Sequence, residues 1–177
     1  MSDTFDKFVK QQREQAESEK IDPVKELSTW LDKLDSLYKK VRHFLQEYVD
    51  SGDIKIECSP IDMHEELLGG YSASKLTISI GQIVVNLDPI GTFLIGARGR
   101  VDMRGPRGVA RFVVVPPQST QARIRVRVVS NGETPAPVKL PPASTWVWKM
   151  ATPPPEMRYI ELTKESFREA LLGVAHG

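Results

Sequence analysis

Residues 22–58, DPVKELSTWLDKLDSLYKKVRHFLQEYVDSGDIKIEC, switch their hydrophobic period once, from three-and-four to two, and that switch sets the fold class. Asp22-Pro23 is an N-cap and first-turn pair, because proline lacks the N–H that a helix start leaves unused. Val24, Leu27, Leu31, Leu34, Tyr38, Val41, Leu45 and Tyr48 then follow at alternating spacings of three and four. Trp30, Leu37 and Phe44 form a second line beside them. The pattern predicts a helix over 22–51, ended by Gly52. Such a helix is ~45 Å long, more than the ~33 Å expected across the globule formed by the rest of the chain. It is therefore expected to cover its own sheet and also to contact a second copy. Leu27, Trp30, Leu34, Leu37, Val41 and Phe44 are the candidate self-association residues.

From Asp53 onward the pattern is that of strands. Ile54, Ile56 and Cys58 alternate with Lys55 and Glu57, and Leu76, Ile78 and Ile80 alternate with Lys75, Thr77 and Ser79. Between them, Ser59-Pro60 suggests the start of a short helix that Gly69-Gly70 would stop. Gly81-Gln82 and residues 105–108 suit hairpins, and Asp88-Pro89-Ile90-Gly91 suits a turn. Further strands are expected over 92–104, through 115, over 122–130, over 145–151 and over 157–162, with a proline-rich loop at 135–142. Thr163 is an N-cap for a final helix with Phe167, Leu171 and Val174 on its apolar face. Leu162 and Phe167 are spaced as a hydrophobic staple. Short links favour antiparallel pairing. The expectation is an α+β fold, a long N-terminal amphipathic helix on a curved, largely antiparallel sheet of about six to eight strands, with a C-terminal helix. Residues 1–21 are expected to form a mobile or weakly helical arm and 22–177 a single domain, with helix 22–51, sheet 53–162 and C-terminal helix 163–175.

Hydrophobic residues at 40% and charged residues at 27% suit an ordered globule. The single cysteine, Cys58, excludes an internal disulfide framework and points to a reducing compartment. No apolar run approaches the ~18 residues that span a bilayer, and residues 1–20 lack the apolar stretch of a secretory signal. A soluble, cytoplasmic protein without a membrane partner is expected.

Charge is polarised along the chain. Residues 1–70 carry 10 lysines and arginines against 16 acids, and residues 71–177 carry 14 against 7. Between 89 and 130 stand eight arginines, no lysine and one acid, Asp102. Arg98, Arg100 and Arg104 alternate with apolar residues along one predicted strand, and Arg123, Arg125 and Arg127 along another. One sheet face bearing all six would bind phosphate, carboxylate or a nucleic-acid backbone. The alternative is a solvated face neutralised by the acidic half of the chain, with arginine stems covering apolar surface. The glycines at 96, 99, 105 and 108 lack the strand–loop–helix context of a phosphate loop. Trp146 and Trp148, with Met150, read as core.

Signals for chemistry are sparse. His64-Glu65 resembles half of a zinc-protease motif, but Leu68 stands where the second histidine belongs. Cys58, Asp62, His64 and Glu65 match no familiar metal spacing, so no metal or other cofactor is expected. No nucleophile–histidine–acid set stands out. The leading reading is a non-catalytic binding or accessory protein that acts through protein–protein interaction, pairing with itself and with another protein. The second is nucleic-acid or phosphate binding by the six arginines, and the third an enzyme with an unrecognised site.

Overall fold

The structure is a computed structural model that describes residues 5–10, 13, 22–92, 97–122 and 142–177. Helix α1 spans Pro23–Phe44, α2 Gln46–Asp50 and α3 Lys164–Ala175. Between α2 and α3 run β1 (Ile54–Glu65), β2 (Gly69–Ile80), β3 (Ile83–Gly91), β4 (Arg100–Gly105), β5 (Gly108–Val115), β6 (Val147–Ala151) and β7 (Tyr159–Glu161). The seven strands form one antiparallel sheet in chain order, each paired with its sequence neighbour. The α+β class and the antiparallel sheet are as expected. Residues 5–10 are helical with Phe5 and Phe8 exposed, and the remainder of the expected arm 1–21, except Arg13, lies outside the described residues.

The expected helix over 22–51 is shorter. Asp22 caps it, its carboxylate accepting from the Val24 and Lys25 N–H groups, but it ends at Phe44. Leu45 leaves helical geometry at φ −110° and ψ 6° before α2 resumes. Phe44 and Leu45, on either side of the break, are both buried, at 8% and 1% exposure.

A second correction falls on residues 59–65. No short helix follows Ser59-Pro60; β1 continues through Pro60 to Glu65, paired with β2 down to Gly69. Proline is tolerated there because β1 is the edge strand and needs no outward N–H. The expected turn at 88–91 is likewise absorbed into β3, with a register shift between Pro89 and Gly91. Of the long strand expected over 92–104, Arg100–Gly105 is strand, whereas 93–96 lie outside the described residues. The strand expected over 122–130 and the proline-rich loop likewise fall almost wholly outside them.

One core lies between the helices and one sheet face. It joins Trp30, Leu34, Leu37, Val41 and Phe44 of α1 to Leu76, Ile78, Val85, Leu87, Val101, Met103, Phe112 and Trp148 of the sheet and to Phe167 and Leu171 of α3. Trp148 donates its indole N–H to the Lys33 carbonyl at 2.8 Å, and Arg168 of α3 donates to the Phe44 carbonyl at 2.7 Å. Thr163 caps α3 in a reciprocal exchange with Ser166. The opposite sheet face carries a smaller apolar cluster of Ala97, Val113 and Val115. Among the described residues, no helix is long and apolar enough to cross a membrane.

Candidate binding groove

Along α1, Leu31, Leu34, Asp35, Tyr38, Lys39 and Arg42 recur at helical spacing and form one wall of a groove. Cys58 and Pro60 of β1 and Ser72, Ala73 and Ser74 of β2 form the other. The space is about 590 Å³, the size range of small-molecule and peptide sites. Tyr38 closes its floor, donating its hydroxyl to the Ser74 carbonyl at 2.6 Å. Burial, and then the nearby Cys58 and Asp88, push that phenol well above its ordinary ionisation range. Asp35 and Lys39 satisfy each other at 2.7 Å. Arg42 reaches the Cys58 Sγ at 3.4 Å and has no carboxylate partner among the described residues. The groove thus offers an apolar wall, one unneutralised guanidinium and an exposed thiol.

Beside it lies a partly buried polar junction. Glu65 accepts the Thr92 N–H at 3.1 Å and the Thr92 hydroxyl at 2.7 Å on one oxygen, and the Tyr71 hydroxyl on the other. Trp30 donates its indole N–H to the Tyr71 oxygen at 3.1 Å. Burial and the bond to Glu65 raise the Tyr71 phenol, keeping it a donor. Because strand residues alternate faces, His64 points away while Glu65 turns in, so the two cannot act together as the half-motif would require. Among the described residues, no group of histidine, cysteine and carboxylates could hold a metal ion.

The arginines resolve differently from a bare cationic face. Arg100 and Arg104 flank Asp102 on the sheet face opposite the helices, at 2.7 and 2.9 Å, and cover it to 1% exposure. The bond to Asp102 raises Arg100 above its ordinary range. Arg98 pairs with Glu26 at 2.9 Å and lies over the Trp146 ring at 5.4 Å. Arg123, Arg125 and Arg127 lie outside the described residues. The six self-association candidates all face the chain's own core: Trp30, Leu34, Leu37, Val41 and Phe44 are buried and Leu27 is partly so. Sequence reasoning missed the groove. Its signal was the row Asp35, Lys39 and Arg42 bordering the apolar stripe, but the facing wall is visible only once β1 is known to run past Pro60.

No family model matches the chain, and no match is found among curated proteins or solved structures.

Proposed function

We propose that the protein is a non-catalytic binding or accessory protein that works by protein–protein contact. In this reading, the groove between α1 and the β1–β2 hairpin takes a segment of another protein bearing apolar side chains and a carboxylate. The observation that carries it is Arg42, which stands at the groove beside the Cys58 Sγ with no carboxylate partner among the described residues. Arginine in such a place favours a planar anionic partner. The protein would act in the cytoplasm, where the exposed Cys58 stays reduced. Nucleic-acid or phosphate binding has less support, because Arg98, Arg100 and Arg104 each already hold a carboxylate. With the α1 stripe spent on the core, pairing of two copies needs another surface.

Selection from a displayed random-peptide library tests the groove. Enriched peptides should share an acid flanked by apolar residues, and should lose binding on Arg42→Glu or on alkylation of Cys58. Peptides that ignore both changes, or a library that yields no binder, would overturn the reading.

A further inference from the structure

The two edges of the sheet are unequal. Strand β7 has three residues, and residues 120–122 bridge its outer side: Gln121 pairs with Arg158, and the Tyr159 N–H donates to the Thr120 carbonyl at 2.9 Å. Strand β1 has twelve residues, and no strand pairs with its outer side among the described residues. Such an edge presents a row of unused N–H and carbonyl groups that another strand can take up.

On β1 the stretch open to pairing is bounded. Gly52, at φ 83°, turns the chain away on one side, and Pro60, with no N–H, interrupts the row on the other. The residues between are 53–59, and Ile56 is their midpoint. A two-fold axis through Ile56 lays two copies of this stretch antiparallel, with Lys55 opposite Glu57 of the second copy, and Glu57 opposite its Lys55. Ile54 falls opposite Cys58. Lys55 and Glu57 share a face, pair with each other at 3.0 Å within the chain and stay exposed, at 71% and 56% of their side chains, free to exchange that bond for the same one across the two-fold axis. The neighbouring registers are worse: an axis at Lys55 sets lysine against lysine and Asp53 against Glu57, and an axis at Glu57 sets glutamate against glutamate. Opposite charges across an antiparallel pair stabilise it and like charges disfavour it. The bounding residues and the charges therefore select the same register.

We propose that two copies of the chain pair through their β1 edges, antiparallel about Ile56, extending the seven-stranded sheet across the dimer. The competing reading is that charge and Pro60 merely blunt the edge of a monomer. Sedimentation velocity in a reducing buffer, at protein concentrations up to about 100 μM, separates them. Wild type should form a dimer whose population rises with concentration, and amide exchange over 53–59 should slow in parallel. Lys55→Glu alone and Glu57→Lys alone should each weaken the dimer about tenfold, because each change opposes like charges twice. The double swap K55E/E57K should restore it. Circular dichroism checks that each variant is folded. A monomer at every concentration, a dimer indifferent to the single swaps, or a folded double swap that stays monomeric would each overturn the proposal.

Discussion

Gly99 has the backbone of a residue that only glycine occupies easily, at φ 157°, and a Cβ there would come within 2.5 Å of the Trp30 ring. Trp30 is the largest fully buried side chain of α1 and also donates to Tyr71, so it has little room to retreat. Gly99→Ala is expected to destabilise the protein by about 2 kcal/mol, as overpacking of a tight contact does. Urea denaturation measures it, and a loss near zero would mean that α1 shifts without cost. At this scale the sequence was partly legible. The caps at Asp22 and Thr163 and the buried tryptophans follow from residue chemistry alone. The partners of Glu65 do not, because Tyr71 reaches it from β2 and Thr92 from just beyond β3.

Strand β4 shows how an element tames its own charge. Val101 and Met103 enter the main core, so Arg100, Asp102 and Arg104 take the other face together. Asp102 is the one acid among eight arginines between 89 and 130, and it serves two of them. Asp102→Asn keeps the shape but removes the charge and one acceptor, leaving both guanidinium groups less satisfied. Charge-assisted hydrogen bonds contribute about 1.5–3 kcal/mol, and both arginines are partly solvated, so a loss of about 2 kcal/mol in chemical denaturation is expected. The alternation that exposed this arrangement was visible in the sequence. Its consequence was not, since two-residue spacing says which side chains share a face but not whether they pair with each other. The same limit applied to residues 59–65, where the short helix expected to start at Ser59-Pro60 lost to twelve residues of pairing with β2.

For the whole molecule, burial controls the response to alkali. Tyr38, Tyr71 and Tyr159 all have phenols raised above their ordinary value of 10.0, chiefly by burial. In the unfolded chain they lose protons near that value while the folded chain keeps them. Their contribution is fully present below about pH 10 and is lost as pH rises beyond it. Tyr38, the most buried, adds a slope of up to about 1.4 kcal/mol per pH unit. Lys33, lowered by burial, acts in the opposite sense just below its ordinary 10.5, but it is largely solvated and weaker. Denaturant midpoints from about pH 8 to about pH 11 should fall on the alkaline side, and Tyr38→Phe should flatten the fall. An unchanged slope in that variant would assign the effect elsewhere.

What the sequence by itself determined is whatever depends on neighbours along the chain: the α+β class, the Gly81 and 105–108 hairpins, the antiparallel pairing, the helix caps and the apolar faces of α1 and α3. What only the tertiary structure decided is whatever depends on distance in space. The stripe of α1 was wide enough for a sheet and a second copy alike, and the sheet took it. The helix stopped at Phe44, where Leu45 leaves helical geometry and both residues are buried. Arg98, Arg100 and Arg104 met carboxylates, and α1 met the β1–β2 hairpin with a groove left between them. Periodicity records which way a side chain points, and only packing determines what stands opposite it.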